Sequence, residues 1–182
     1  PTNPYAATKA SAEFICKSYY NSFKLPIIII RANNVYGPGQ YPEKLIPKFI
    51  TSLLNNESCT IHGDGESRRN FIYVDDVVYA IETIMNKGQI NEIYNIGSKN
   101  EYDVNDIFVK LCKIIKPIEY PYKYKINVKN RYFNDFRYSV NCDKLKNMGW
   151  TEKTTFKQGL YKTIQWYTKF NEEKIHWKHT KL

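Results

Sequence analysis

The longest aliphatic run in this 182-residue chain is the four isoleucines of residues 27–30, whereas a helix that crosses a membrane needs about 20 apolar residues. No membrane span is expected. A basic segment followed by an apolar one is also missing, so the sequence predicts a cytoplasmic protein without a signal peptide. The four cysteines, Cys16, Cys59, Cys112 and Cys142, include no close pair. That spacing argues against a disulfide framework or a zinc site and predicts reduced, buried thiols. Histidine is scarce: of three, only His176 and His179 are neighbours, with no carboxylate or cysteine arranged beside them, and no metal site is expected. Among the eight glycines there is no Gly-x-x-Gly-x-x-Gly, so the loop that holds a dinucleotide pyrophosphate at a helix N-terminus is lacking. The first residue is Pro1 rather than Met, directly before a helix signal, and the chain reads as a piece of a longer protein.

What is present suits one domain or the larger part of one. Apolar residues make up 42% and aromatics 15%, enough for a core and too many for a disordered chain. The net charge of +9 comes from lysines spread from Lys9 to Lys181. They interrupt apolar periodicity as solvated faces do, with no basic block or stripe, so nucleic acid is not an expected partner.

Local signals alternate between helix and strand. Asn3 as N-cap and Pro4 at the first helical position open a helix to about Phe23, broken by Lys24, Leu25 and Pro26. The isoleucine run then predicts a strand buried on both faces of a parallel sheet. Further helices are expected over residues 45–54, 75–86 (capped by Asp75), 104–115 (capped by Asp103), 143–148 (ended by Gly149) and 156–170. Short strands are expected at residues 60–62, 71–74 and 93–96, with a turn at 63–65 and an irregular aromatic stretch over 116–142. The pattern is α/β with a parallel sheet.

Tyr5 and Lys9 stand four residues apart at a helix N-terminus, on one face. A free phenol ionises near pH ~10, so its use as a base near neutrality means a shift of about 3 units, roughly 4 kcal/mol. An ammonium about 4 Å away supplies a similar amount at an effective dielectric of ~20. The pair is not specific by itself, since Tyr20 and Lys24 repeat the spacing.

The surrounding residues give it context. Pro1-Thr2-Asn3-Pro4-Tyr5-Ala6-Ala7-Thr8-Lys9, a helix, a proline and a buried isoleucine strand together resemble the active-site segment of the extended short-chain dehydrogenase/reductase family. Asn33-Asn34-Val35-Tyr36-Gly37-Pro38 is similar to the family's Asn-x-Tyr-Gly-Pro loop. Tyr41-Pro42-Glu43-Lys44-Leu45-Ile46-Pro47 resembles a segment of its dTDP-glucose 4,6-dehydratase branch. His62-Gly63-Asp64-Gly65, with Arg69-Asn70-Phe71-Ile72-Tyr73-Val74-Asp75-Asp76, Tyr94-Asn95-Ile96-Gly97 and Met148-Gly149-Trp150, continues the likeness in order to about Tyr167.

The resemblance implies the carboxyl-terminal part of a Rossmann-type parallel sheet (residues 1–35 and 72–100) plus a smaller mixed α/β substrate-binding domain (36–71 and 101–182). It implies NAD as cofactor, with Tyr5 as acid/base, Lys9 on the nicotinamide ribose and Val35 also on the cofactor side. It implies a nucleotide-sugar substrate. Asn34, Lys44 and Leu45 would meet its diphosphate, and Thr60, Ile61 and His62 its base. Arg69 and Arg131 would clamp phosphate oxygens, and Asn95 and Asn134 would contact the nucleotide sugar. The family's Asp-Arg-Pro reads here Asn130-Arg131-Tyr132, a departure that puts the local backbone in question. Dehydration to a 4-keto-6-deoxy sugar needs an Asp-Glu pair that the family carries upstream of the tyrosine. A 4-epimerase, a UDP-glucuronate decarboxylase and a non-catalytic sugar-nucleotide-binding subunit remain alternatives. A homodimer through the tyrosine helix, residues 4–23, on the side of Ala12 and Tyr20, is also implied.

Overall fold

The computed structural model describes residues 1–130 and 137–172. Arg131 and Asn134 therefore lie outside the described residues, as do His176 and His179.

The chain opens with helix α1, Pro4–Phe23, and Asn3 caps it as its sequence predicts, its Oδ1 accepting the Ala6 N–H at 2.8 Å. Lys24 ends the helix in the left-handed conformation at φ 56°. Strand β1, Ile29–Ala32, pairs in parallel with β5, Ile93–Ile96. A second sheet orders β2 (Asn34–Tyr36), β4 (Arg68–Tyr73) and β6 (Glu101–Asp103), with β8 (Arg137–Tyr138) parallel to the first residues of β4. A third pairs β3, Cys59–His62, with β7, Lys125–Val128. Helices α2 (Leu45–Leu54), α3 (Val74–Lys87), α4 (Val104–Ile115), α5 (Asp143–Lys146) and α6 (Phe156–Glu172) complete the α/β architecture.

Two apolar cores lie on opposite faces of the second sheet. In a parallel pair, partners across the ladder point the same way and successive residues alternate. The register matches Asn34 with Phe71, Val35 with Ile72 and Tyr36 with Tyr73. Tyr36, Phe71 and Tyr73 accordingly enter a core with Phe49, Phe108 and Tyr167. Ile72, with Val35 against it, enters another with Val77, Ile84, Tyr94, Ile96 and Trp150.

Four expectations need correction. The isoleucine run is not buried on both faces: residues 27–29 are half-buried and Ile30 is 37% exposed. Among the described residues β1 has one strand neighbour, β5, and α1 buries no residue of its own, so one edge and much of one face stay open. Asp75 is not a cap. Helix α3 starts one residue earlier at Val74, Asp75 and Asp76 lie in its first turn, and Asp76 is buried with its carboxylate accepting the Lys153 and Thr154 N–H groups at 2.8 and 3.1 Å. The stretch 116–142 is not wholly irregular, since it carries a short 3₁₀ turn, β7 and β8. Of the cysteines, Cys59, Cys112 and Cys142 are buried but Cys16 is half-buried on α1. Burial pushes the Cys59 thiol up to about 12 and Cys112 to about 11. Among the described residues no helix is long and apolar enough to cross a membrane.

Candidate active site

Tyr5 sits in the first turn of α1, 74% exposed, and Lys9 follows one turn later, also exposed. Along α1 the half-buried residues are Ala6, Ala10, Glu13, Cys16 and Tyr20, a three-to-four spacing that marks the seam turned toward the sheet. Glu13 fixes that seam. Its two carboxylate oxygens accept from Arg31 Nε at 2.7 Å and Nη2 at 2.5 Å. The Arg31 guanidinium beside Glu13 holds its carboxyl below the usual carboxylate range.

This ion pair sets the height of Tyr5. Helix α1 runs down to Phe23 and β1 runs back up, so the two are antiparallel. Counting back from Glu13, Tyr5 is eight helical residues away, about 12 Å at ~1.5 Å each. Counting forward from Arg31, Asn34 is three residues away, about 10 Å at ~3.3 Å each. By this count both residues lie beyond the ion pair toward the carboxyl end of β1, the end where open parallel sheets take ligands. Tyr20 and Lys24, the second pair with this spacing, lie at the far end of α1. There Lys24 packs over the Tyr20 ring at 5.8 Å from its centroid.

Asn34 is exposed on β2. Arg69 lies on the neighbouring β4, two residues before the partner of Asn34, and so points to the same face. One strand across and two residues along is about 8 Å between backbones, within the combined reach of both side chains. Arg69 is half-buried, and its Nη1 donates to the Arg68 carbonyl at 2.7 Å. Opposite it, Arg68 and Arg137 share the Glu101 carboxylate at 3.9 and 2.7 Å, and the Arg137 guanidinium holds that carboxyl low. Sequence patterning gave no signal for this trio, because β6 and β8 are too short to show a period.

The remaining sites fall in separate places. The loop after β2 folds back through Gln40, whose Nε2 donates to the Val35 carbonyl at 2.7 Å and whose carbonyl accepts from Tyr167. It ends at exposed Lys44 and half-buried Leu45, at the N-terminus of α2. Val35 is half-buried and packs toward the core of Trp150 and Ile72. Strand β3 alternates: Cys59 and Ile61 are buried, Thr60 half-buried and His62 exposed. Ile61 has no exposed surface, so its side chain belongs to the core. His62 is 3.4 Å from the Lys129 carbonyl through Nδ1, before a turn in which Gly63 and Gly65 take φ 62° and 80°. Asn95 is half-buried, and its amide already donates to the Asn141 carbonyl at 3.1 Å. The register does not tie β3 to Asn34; it ties it to β7.

Burial separates Tyr36 and Tyr167 from Tyr5. Tyr36 is buried, donates to the Phe156 carbonyl at 3.1 Å, and desolvation raises it far above the usual phenol range. Tyr167 is pushed up to about 12 for the same reason. Neither can serve as a base.

The model of the NAD dependent epimerase/dehydratase family matches residues 1–97. A dTDP-D-glucose 4,6-dehydratase of Dictyostelium discoideum is 44% identical over 198 residues, with 92% of this chain and 46% of that protein covered. A trifunctional UDP-glucose 4,6-dehydratase/UDP-4-keto-6-deoxy-D-glucose 3,5-epimerase/UDP-4-keto-L-rhamnose-reductase of Arabidopsis thaliana is 48% identical over 171 residues, covering 92% of this chain and 25% of that protein. The crystal structure of a dTDP-glucose 4,6-dehydratase from Streptomyces venezuelae with NAD and TYD bound matches with a TM-score of 0.89 at 32% identity, over 95% of this chain and 53% of that one. The chain spans about half the length of the dehydratases it matches. By this match to more than half of its residues and by its fold, the chain belongs to the NAD dependent epimerase/dehydratase family.

Proposed function

We propose that this chain is the carboxyl-terminal half of an NAD-dependent nucleotide-sugar 4,6-dehydratase that converts dTDP-glucose to its 4-keto-6-deoxy product. What supports this reading is the Glu13–Arg31 pair, which ties the helix of Tyr5 to β1, together with Arg69 on the same face of the β2–β4 pair as Asn34. The relatives named as dehydratases supply the reaction.

The residues present fit the nicotinamide end of NAD, with exposed Tyr5 and Lys9 one turn apart, and include no glycine loop for its pyrophosphate. Tyr5 and Lys9 would hold the nicotinamide end of NAD, which would supply the acceptor for the C4 hydride and, once reduced, the donor that returns it to C6. Tyr5 accepts the proton of the 4-hydroxyl, and Lys9 holds the cofactor ribose and stabilises the phenolate. Asn34 and Arg69 bind the diphosphate, and Lys44 and Leu45 at the start of α2 meet it as well. Thr60 and His62 face the base, and Asn95 contacts the nucleotide. The 4-ketone acidifies the C5 proton, and water leaves across C5–C6. That elimination needs a further acid and base, and no adjacent Asp-Glu pair occurs in the 182 residues. Catalysis thus belongs to the chain joined to the half that carries such a pair and the glycine loop. Residues 1–35 and 72–100 complete the cofactor domain. Residues 36–71 and 101–182 form the sugar-nucleotide domain, except that Leu145 and Trp150 pack with the first.

UDP-glucose is a second substrate reading, favoured by the 48% identity to the Arabidopsis dehydratase. The joined protein is incubated with NAD and, separately, dTDP-glucose, UDP-glucose and UDP-glucuronate, and the products are weighed. Loss of one water is the expected result, from dTDP-glucose on the first reading and from UDP-glucose on the second. An unchanged mass with inverted C4 means an epimerase, and loss of carbon dioxide a decarboxylase. Binding without conversion means a binding subunit.

The protein also acts in the cytoplasm as a homodimer through α1. Phe14, Ile15, Tyr19 and Phe23 are 72%, 57%, 48% and 69% exposed on one helix, more apolar surface than an isolated helix keeps bare. Sedimentation should show a dimer; a joined protein that stays monomeric at micromolar concentration refutes this.

A further inference from the structure

Asn33 heads the Asn33–Pro38 segment but has no part in the proposed site. It is 5% exposed, and neither its Nδ2 nor its Oδ1 has a hydrogen-bond partner among the described residues. Buried side-chain amides are almost always paired, because water is lost on burial and nothing replaces it. The Asn33 backbone N–H donates to the Ile96 carbonyl at 2.8 Å, the last rung of the β1–β5 ladder. Asn34, the next residue, makes the first rung of β2 with β4. The chain thus changes sheets between two consecutive residues, and the one that turns inward is Asn33.

A second amide closes on the same spot. Asn70, 4% exposed, donates from Nδ2 to the Ser98 carbonyl at 2.8 Å, and its Oδ1 is unpaired. Asn33 lies against Gly97, the neighbour of Ser98: a Cβ on Gly97 would stand 1.9 Å from Asn33 Oδ1. Glycine is required there for the amide to fit. Continuing the register by one residue puts Asn33 beside Asn70, on the face opposite Asn34.

The geometry points to Asn33 as a positioning residue: its amide and that of Asn70, bridged by one internal water over Gly97 and Ser98, form a clasp that fixes the β1-to-β2 crossover and thereby aims Asn34 at the diphosphate. Three unpaired polar atoms are a suitable set for a water, which takes two to four partners. The inference rests on Asn34 as a diphosphate ligand.

The test is calorimetric titration of the joined protein with dTDP and UDP. Asn33→Ala, Asn70→Ala and Gly97→Ala should each raise Kd about tenfold at unchanged stoichiometry, since each breaks the same amide pairing. The Asn33→Ala/Asn70→Ala double variant should be no weaker than either single one. A role in stability alone would lower the stoichiometry through unfolded protein and leave Kd unchanged; that result, or additive effects, overturns the clasp. If the unmodified joined protein binds neither nucleotide, the proposed site fails first. The clasp is then decided by hydrogen exchange at residues 34–36: faster exchange in Asn33→Ala upholds it, and unchanged exchange rejects it.

Discussion

Tyr5→Phe should lower conversion of the nucleotide sugar by about 10²- to 10⁴-fold, the contribution of one positioned acid/base group, while nucleotide affinity stays within about twofold of the parent. The substitution removes one oxygen from a side chain that is 74% exposed and stands in the first turn of α1, so it leaves the core untouched. It cannot disturb the cap, which Asn3 supplies from its own side chain. The proposed diphosphate ligands Asn34 and Arg69 lie on β2 and β4 rather than on α1, which is why binding and chemistry separate. The matched control is Tyr36→Phe. That hydroxyl is buried and donates to the Phe156 carbonyl, so its loss costs on the order of 1–3 kcal/mol of stability and leaves the chemical step intact. Single-turnover conversion followed by mass, beside a thermal melt, reads both. A Tyr5→Phe protein that converts substrate within threefold of the parent removes Tyr5 from the mechanism. It would also remove the argument that the Glu13–Arg31 pair sets the height of the catalytic phenol.

Much of this site was legible in the sequence because its signals are local. Asn3 and Pro4 mark a helix start by the chemistry of capping, and Tyr5 and Lys9 acquire a common face from that start alone. Asp103 was legible for the same reason, its Oδ1 accepting the Asp106 N–H at 2.7 Å. Asp75 and Asp76 look like a cap in sequence, but Asp76 is drawn into the interior by the Lys153 and Thr154 N–H groups, 77 and 78 residues away. No local rule reports such partners. Strands β6 and β8, three and two residues long, cannot display an alternation, and they exist because β4 is there to pair with. The isoleucine run carries the composition of a central strand, yet its exposure is decided by how many strands flank it. Asn33 was visible only as one of two adjacent asparagines. Its inward turn is a property of the sheet crossover, as is the need for glycine at position 97.

Trp150→Ala should cost about 3–5 kcal/mol, a large part of the roughly 5–15 kcal/mol that holds a domain together. Trp150 is 1% exposed and packs with Ile72, Val77, Ala80, Ile84, Tyr94, Ile96 and Leu145. Alanine leaves a cavity the size of an indole against the face of β4 and β5. Its Nε1 also donates to the Asp76 carbonyl at 3.1 Å, so the variant strips a buried acceptor in the first turn of α3. The Lys153 and Thr154 bonds to Asp76 hold the same turn from the neighbouring loop, and they lose their anchor when Trp150 no longer fixes the chain before them. Because α3 follows β4 without a loop, the damage reaches the strand that carries Arg69 and the asparagine clasp. At about 2–4 °C per kcal/mol for a chain of this size, the melting temperature should fall by roughly 6–20 °C. Ile118→Ala, at a side chain 97% exposed, should stay within about 0.5 kcal/mol of the parent. Urea denaturation of the two variants gives the comparison. A Trp150→Ala loss below about 1 kcal/mol would show that the core beneath β4 and β5 does not depend on the indole. It would also mean that the order of Arg69 is maintained from the opposite face of the sheet.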